Sequence, residues 1–198
     1  MPGKRKSATP AGTSVACVYF ASPGPHNTEP TLQAAAKRAR ELEVNHVLVA
    51  SSSGATAVKA LSHFEPRLIV AVTHSTGFAE PNLQELEPEN RLRLVRAGAR
   101  ILTAQHAFGG VGRAVRKKFG TYEIDELMAS TLRTFGQGAK VAVEISLMAA
   151  DAGLVPTGEP CIAIGGSGTG ADTALVLRPA NAQTFFDLRV MEILAKPR

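Results

Sequence analysis

The 198-residue sequence contains no tryptophan, two tyrosines and two cysteines, and aromatic residues make up only 5% of it. Proteins that bind single-stranded nucleic acids stack bases on aromatic side chains beside basic ones, so this composition does not indicate a nucleic-acid partner. Cys17 and Cys161 lie in apolar, strand-like runs. This predicts buried, unreactive thiols rather than a disulfide or a metal pair.

Long hydrophobic runs are also missing. No apolar stretch approaches the roughly 20 residues that a membrane-spanning helix needs. The basic N-terminus is not followed by an apolar segment like the core of a secretion signal, since the run from Cys17 to Ala21 is too short. We therefore expect a cytoplasmic protein without a membrane partner.

Positive charge exceeds negative charge by five, but Lys4, Arg5 and Lys6 supply three of those charges from a segment rich in proline, glycine and serine. Residues 1–13 are therefore predicted to form a disordered basic extension, and residues 14–198 a single domain. The remaining excess of about +2 does not require nucleic acid. A second basic group is predicted to form a solvated helix face: Arg113, Arg116, Lys117 and Lys118.

Strand-like apolar runs alternate with segments of helical periodicity along the chain. Strands are predicted at 14–21, 46–50, 67–73, 99–103, 160–164 and 173–178. Helices are predicted at 27–43, 55–63, 82–97, within 105–118, and at 122–135 and 140–152. Residues 185–194 fit either a strand or a small helix. The alternation predicts an α/β domain with a mainly parallel sheet.

Three polar, glycine-bearing loops follow predicted strands: 51–56, 73–78 and 165–170. Parallel sheets bind ligands at the carboxyl ends of their strands, so these loops predict a binding site. The loop from Ser51 to Thr56 has the character of a phosphate cradle. Gly54 would let the backbone approach a ligand, the hydroxyls would donate hydrogen bonds, and the next helix would offer unpaired N–H groups.

Two motifs that resemble nucleotide-binding loops do not meet the full patterns. Gly166 to Ala171 has the glycine spacing of the dinucleotide fingerprint, but a strand follows it where that fingerprint needs a long helix. A hairpin turn whose backbone amides face a ligand fits better. The loop from Ser51 to Thr56 lacks the lysine of a P-loop, so ATP hydrolysis is not indicated.

The candidates for acid–base chemistry leave several roles open. His74 and His106 lie in loops at the expected binding edge, where each could contact a ligand or be an ordinary loop residue. Glu144 and Asp151 share one face of an apolar helix, and could pair with backbone amides or an arginine, or point at the site. Asp172 could orient the glycine turn or accept a ligand hydroxyl.

The sequence alone predicts neither a metal site nor a nucleophile. None of the five histidines has metal-ligand spacing to another histidine, a cysteine or a carboxylate. No Ser-His-Asp or Cys-His arrangement can be argued from the spacing. The catalytic residues, if any, are unknown at this point.

An ordered set of segments resembles the C-terminal domain of pyruvate kinase, and more closely the small stand-alone proteins related to that domain. The main segments are 47–57, 69–73, and 161–170 followed by 173–177. The other matching positions are Asn27-Thr28, Thr76 to Phe78, Glu144-Ile145, Met148 to Asp151, Gly170 to Ala174, Arg178 to Ala180 and Phe185 to Asp187. The likeness covers about residues 15–198.

The resemblance implies a three-layer α/β/α sandwich whose mainly parallel sheet has an antiparallel last strand. In pyruvate kinase the loop like 51–56 holds a phosphate of an allosteric sugar bisphosphate, and the stand-alone relatives resemble binders of flavin mononucleotide (FMN). Pyruvate kinase activity is not carried over, because its catalytic (β/α)₈ barrel needs roughly 250 residues of its own.

The resemblance thus implies an FMN-binding protein, and its contacts fall into two groups. The phosphate would lie on Ser51, Ser52, Ser53, Gly54 and Thr56. The rest of the ligand would lie along Asn27, Thr28, Thr73, His74, Thr76, Gly77, Phe78, Gly165, Gly166, Ser167, Gly168 and Asp172.

Two other functions remain open. The protein could be a non-catalytic sensor of a sugar phosphate or another metabolite. It could also be an enzyme acting on a phosphorylated small molecule, with Glu144, Asp151 or His74 as acid or base. In each case the expected partner is a small phosphorylated ligand. The oligomeric state is left open, with a homo-oligomer among the alternatives.

Overall fold

A computed structural model describes residues 12–198 of the chain. The extension predicted at 1–13 therefore lies almost entirely outside the described residues. The strands are β1 (Val18–Phe20), β2 (Val47–Ala50), β3 (Ile69–Thr73), β4 (Arg100–Thr103), β5 (Cys161–Gly165), β6 (Thr173–Arg178) and β7 (Arg189–Pro197). The helices are α1 (Thr28–Glu41), α2 (Ala55–Ala60), α3 (Pro88–Ala97), α4 (Gly110–Phe119), α5 (Ile124–Arg133) and α6 (Gln137–Asp151), with short 3₁₀ turns at Pro25–Asn27, Pro66–Leu68 and Ala182–Asp187.

All seven strands join one sheet in the order β1-β7-β6-β5-β2-β3-β4. Strand β6 runs antiparallel to both of its neighbours, whereas every other pairing is parallel. This confirms the predicted fold class, and the final segment supplies one more strand beyond the antiparallel one. Strands β2 and β5 lie side by side, with Val47 opposite Ile162.

Helices cover both faces of this sheet. Helix α1 packs on β5, β6 and β7, while α6 packs on β5, β2 and β6. Right-handed crossovers place α1, α2 and α3 on one face and the helices between β4 and β5 on the other, because the chain reverses direction along the sheet after β4. The reversal leaves a crevice at the carboxyl ends of β2 and β5, where α/β sheets bind ligands.

The sheet centre is buried on both faces, as a covered parallel sheet requires. The runs 47–49, 69–71 and 161–164 are fully inaccessible to solvent. Burial raises the pKa of the Cys161 thiol to about 12, so this thiol is unreactive, as predicted. No helix within residues 12–198 is both long and apolar enough to cross a membrane; the cytoplasmic location stays a prediction.

The N-terminal strand differs from its prediction. The sequence predicts a buried strand over 14–21, but β1 has three residues and lies at the edge of the sheet, with Tyr19 54% exposed. Cys17, expected to be buried, is partly exposed just before it. An apolar run cannot by itself distinguish a central strand from an edge strand, since both contain β-branched and aromatic residues.

The predicted helix over 82–97 also starts later than expected, at Pro88. Proline fits the first helical position because it needs no N–H partner there. Residues 82–87 instead form a turn, in which Asn82 adopts a φ of 64°. The side chain of Gln84 donates a hydrogen bond to the carbonyl of His74 and accepts one from the N–H of Leu86, which holds this turn beside the loop after β3.

We predict that Gly165→Ala destabilises the protein by about 2–3 kcal/mol, near the upper end of overpacking costs. A Cβ at residue 165 would lie 2.4 Å from the carbonyl oxygen of Gly138 and 3.1 Å from the amide nitrogen of Ala142, so backbone would have to move. Urea unfolding measures the change. Gly12→Ala, where a Cβ meets nothing within 4 Å, should change stability by less than about 0.5 kcal/mol. Equal stabilities of the two variants would show that β5 and α6 are not in tight contact.

Candidate functional site

A cleft of about 660 Å³ lies at the carboxyl ends of β2, β3 and β5. The serine-rich loop after β2 forms one wall and the glycine-rich turn after β5 forms another, while α6 provides apolar and charged side chains. The predicted site residues that line it are Ser51, Ser52, Ser53, Thr56, Thr73, His74, Phe78, Gly166 and Gly168. The sheet edge therefore brings together all three of the predicted loops.

The three serines of the first wall have different partners. Ser51 Oγ accepts a hydrogen bond from the N–H of Ala57 at 3.1 Å, and Ser53 Oγ accepts a longer one from the N–H of Ala55 at 3.4 Å. Ser52 Oγ is instead hydrogen-bonded to His74 Nε2 at 3.0 Å. The hydroxyls of Ser51 and Ser53 thus bind N–H groups at the start of helix α2, and the hydroxyl of Ser52 binds the imidazole of His74.

Gly54 has a structural reason to be glycine. Its φ is 89°, and a Cβ there would lie 2.7 Å from both Leu86 Cδ1 and Asn90 Cβ. Asn90 also holds the serine loop against helix α3, because its side-chain amide donates a hydrogen bond to the carbonyl of Ser53 at 3.0 Å. The glycine therefore lets the serine loop pack against the start of α3, outside the cleft lining.

His74 connects the serine loop to the turn before α3. Its Nδ1 lies 2.7 Å from Glu85 Oε2, on the opposite side of the ring from the bond to Ser52. Both His74 and Glu85 are about 70% buried, with side chains 30% and 28% exposed. The structure thus places a serine, a histidine and a carboxylate in one hydrogen-bonded row.

Aromatic rings continue this row deeper into the cleft. His74 lies 4.1 Å from Phe78, and Phe78 stacks on His106 with ring centroids 4.7 Å apart and an interplanar angle of 11°. The guanidinium of Arg113 lies over the Phe78 ring, 4.8 Å from its centroid. Phe78 is 37% exposed, so part of its ring is open to solvent next to a cation.

A buried ion pair closes the inner end of the cleft. Lys140 Nζ donates to Glu144 Oε2 at 2.5 Å, and both side chains are about 5% exposed or less. Glu144 Oε1 also accepts a hydrogen bond from the backbone N–H of Phe108 at 3.0 Å, which fixes the loop after β4. Burial lowers the pKa of the Lys140 ammonium, and the attraction of Glu144 opposes that change.

His106 lies between this pair and the aromatic stack. Its Nδ1 is 3.9 Å from Glu144 Oε2, and its buried Nε2 has no hydrogen-bond partner in the described part of the chain. Burial lowers the pKa of His106 to about 4; Glu144 raises it, and the charges of His74, Lys140 and Arg113 lower it further. The imidazole is therefore neutral near pH 7.

The charges around the cleft favour an anionic ligand. Arg113, Arg133 and Lys140 contribute three cations to its lining, against the two carboxylates of Glu85 and Glu144. Each carboxylate already has a partner, His74 or Lys140. A ligand with a phosphate or carboxylate group would therefore meet an excess of positive charge.

Several predicted site residues lie outside the lining: Asn27, Thr28, Gly54, Thr76, Gly77, Gly165, Ser167 and Asp172. Some of them hold the glycine turn in place. Asp172 accepts hydrogen bonds from the N–H groups of Ser167 and Gly24, and Thr28 Oγ1 accepts one from Ala171. Of its two candidate roles, Asp172 performs the orienting one. Direct ligand contacts of these residues stay predictions.

Sequence reasoning missed several residues that line the cleft, above all Glu85, Arg113, Arg133 and Lys140. A usable signal exists for part of this set. Gln137, Lys140 and Glu144 are spaced by three or four residues, which aligns them in one polar stripe at the start of an apolar helix, whereas Arg133 ends the preceding helix. Asp151, the other candidate on α6, lies outside the lining and accepts hydrogen bonds from Asn181 and Ala182.

A family model described as "Pyruvate kinase, alpha/beta domain" matches residues 29–177, about three quarters of the chain. The chain belongs to this family. The matched range runs from α1 to β6 and includes all three loops of the cleft, whereas β1 and β7 lie outside it. The membership confirms the predicted resemblance together with the fold.

Replacing Lys140 by methionine should destabilise the protein by about 3–5 kcal/mol, because it leaves the buried carboxylate of Glu144 without its partner. The double variant Lys140→Met/Glu144→Gln should recover more than half of that loss, since a glutamine can still accept from Phe108. Urea unfolding of both variants measures these changes. A double variant as unstable as the single one would mean that the lost packing of the lysine, rather than the unpaired charge, causes the effect.

The low pKa of His106 predicts a pH dependence of stability. Between its ordinary pKa of 6.5 and about 4, the unfolded chain binds a proton at residue 106 that the folded protein does not. The free energy of unfolding contributed by this site therefore falls as the pH falls through that window, and is constant below it. Subtracting the unfolding curve of His106→Gln from that of the wild type isolates the effect. A ring NMR signal of His106 that titrates near 6.5 would contradict it.

Proposed function

We propose that the cleft binds a phosphorylated aromatic ligand, and that the ligand it suits best is flavin mononucleotide. The observation that carries this proposal is the combination of an anion-attracting lining with a flat aromatic surface in one cleft. FMN carries a phosphate, a hydroxylated chain and a planar ring, and therefore needs both features together.

The residues present fit each part of such a ligand. Arg113, Arg133 and Lys140 can make charge-assisted hydrogen bonds to a phosphate, as can the hydroxyls of the serine loop. The exposed part of the Phe78 ring, which stacks on His106, offers a surface for an aromatic system. The cleft volume also lies within the usual range of about 300–1,000 Å³ for ligand sites.

A bound flavin would supply hydride- or electron-transfer chemistry of its own, which a protein tunes through binding and electrostatics. The protein's contribution would be to hold the phosphate, to orient the ring against Phe78, and to keep a neutral imidazole at His106. Pyruvate kinase activity is not part of the proposal, because residues 12–198 form one seven-stranded sheet and contain no (β/α)₈ barrel.

A metabolite sensor that binds a sugar phosphate is the second candidate. The cations and hydroxyls of the cleft would serve such a ligand equally well. The stack of Phe78 on His106 favours the flavin, because a sugar phosphate has no planar ring to place there. The two candidates predict different ligands in the same cleft, so one binding series separates them.

We predict that FMN binds the purified protein, with a shift of its visible absorption and quenching of its fluorescence. Arg113→Gln should weaken FMN binding about tenfold or more, because a hydrogen bond to a charged group contributes about 1.5–3 kcal/mol. Riboflavin, which lacks the phosphate, should bind more weakly and lose less affinity in the same variant. Lys118→Gln, which removes the same charge from an exposed position of the same helix, should bind FMN like the wild type.

Two other results would contradict the flavin proposal or the role given to Arg113. A protein that gives no spectral change with FMN but a thermal shift with a sugar bisphosphate would overturn the flavin proposal in favour of the sensor. Equal losses of FMN and riboflavin affinity in Arg113→Gln would show that the guanidinium acts on the ring rather than on the phosphate.

A further inference from the structure

The row of Ser52, His74 and Glu85 has the arrangement of a nucleophile, its base and an orienting carboxylate. We propose that these residues form a catalytic triad, and that the cleft hydrolyses carboxylic esters of small anionic acids. The proposal does not rest on flavin binding, since it concerns the protein's own side chains in the ligand-free cleft.

The hydrogen bonds use the two nitrogens of His74 in the order that this chemistry needs. Glu85 Oε2, 2.7 Å from Nδ1, favours the tautomer in which Nδ1 carries the proton. Nε2 is then the acceptor, 3.0 Å from Ser52 Oγ, and can take the hydroxyl proton. The chain order of serine, histidine and glutamate is no obstacle, because triads on unrelated folds occur in several orders and are defined by geometry.

The serines on either side of Ser52 bind the backbone rather than the imidazole. The hydroxyls of Ser51 and Ser53 accept hydrogen bonds from the backbone at the start of α2, whereas Ser52 bonds the imidazole. Ser52 also lines the open cleft, so a substrate can reach it. Only a hydroxyl that is both paired with a base and accessible can act as a nucleophile.

The fold presents Ser52 much as α/β hydrolases present their serine, between a central strand and a helix. Ala50 and Gly54 are the small residues two positions to either side of it, comparable to the glycines of the G-x-S-x-G turn. The turn here is less strained, because within residues 12–198 only Glu43 and Asn82 have a positive φ without being glycine. The N–H of the residue after the nucleophile, Ser53, is the chain position that supplies an oxyanion-hole donor in that motif.

The remaining lining of the cleft indicates the class of ester. Arg113, Arg133 and Lys140 attract an acid that carries a second negative charge, and the partly exposed Phe78 beside His74 suits an apolar leaving group. A neutral ester would gain nothing from the cations. We therefore assign the cleft to esters whose acyl part ends in a carboxylate or a phosphate.

The reaction balances with water as the only co-reactant. Ser52 Oγ attacks the ester carbonyl carbon as His74 Nε2 takes its proton; the bond to the leaving oxygen then breaks, and His74 returns the proton to the leaving alcohol. Water attacks the resulting acyl-serine, giving its proton to His74 and its oxygen to the acid. The serine leaves with that proton, so that ester and water become acid and alcohol.

The test uses the full chain with p-nitrophenyl hemisuccinate, p-nitrophenyl acetate and a fluorophosphonate probe. We expect p-nitrophenol release from the hemisuccinate with a kcat/KM at least ten times that for the acetate, and labelling of Ser52 found by peptide mass spectrometry. Ser52→Ala should abolish the labelling and lower kcat by roughly 10³-fold or more. Ser62→Ala, at an exposed serine just after α2, should behave like the wild type.

Glu85 is a positioning residue, and its variant separates a triad from a merely structural contact. Glu85→Gln should lower kcat at an unchanged KM and melting temperature, because the amide holds the wrong tautomer of His74. A drop in the melting temperature with unchanged kcat would instead mark the pair as structural.

The proposal is overturned if fluorophosphonate does not label Ser52, or if Ser52→Ala hydrolyses the hemisuccinate as fast as the wild type. Equal rates with hemisuccinate and acetate would refute the anionic substrate class. Failure of FMN binding would leave these readouts unchanged, because none of them uses the flavin.

Discussion

The geometry of the cleft depends on the ion pair between Lys140 and Glu144. Glu144 binds the backbone of Phe108 and thereby fixes the loop that carries His106. Phe78 stacks on His106, His74 lies against Phe78, and Ser52 bonds His74, so one continuous row of contacts joins helix α6 to the serine loop. A carboxylate buried among apolar side chains of α6 is tolerated only because the ammonium and a backbone N–H satisfy it.

The same pair determines the electrostatics of the site. Well-packed apolar residues could replace a buried ion pair without loss of stability in many proteins, so stability alone does not explain it. Here the ammonium and the carboxylate compensate each other, so the pair leaves no free carboxylate in the lining and the positive excess comes from Arg113 and Arg133. Burial is the main reason that the pKa of His106 is low and its ring neutral, and the nearby cations act in the same direction against the attraction of Glu144. An incoming anion thus finds positive charge and an uncharged imidazole, rather than a carboxylate that would repel it.

The sequence predicted what is encoded locally and missed what depends on how loops fold. The runs at 47–50, 69–73 and 161–165 are continuous and apolar, and the glycine-bearing loops after them predicted the edge of the sheet at which the cleft lies. Glu85 was hidden inside a predicted helix that starts only at Pro88, so its approach to His74 could not be seen. The sequence analysis assigned no role to Lys140, because its spacing from Glu144 places both residues on one helix face without showing that this face is buried.

The two activities proposed for the cleft share the serine loop but can use different protons. A serine hydroxyl has one proton to donate, so a phosphate that accepted it from Ser52 would break the bond to His74. Ser51 and Ser53 accept from backbone N–H groups, which leaves their own protons available for a phosphate. The loop can therefore bind an anion through its outer serines while Ser52 stays paired with its base. This division explains why three adjacent serines with separate partners suit the cleft better than a single phosphate-binding hydroxyl would.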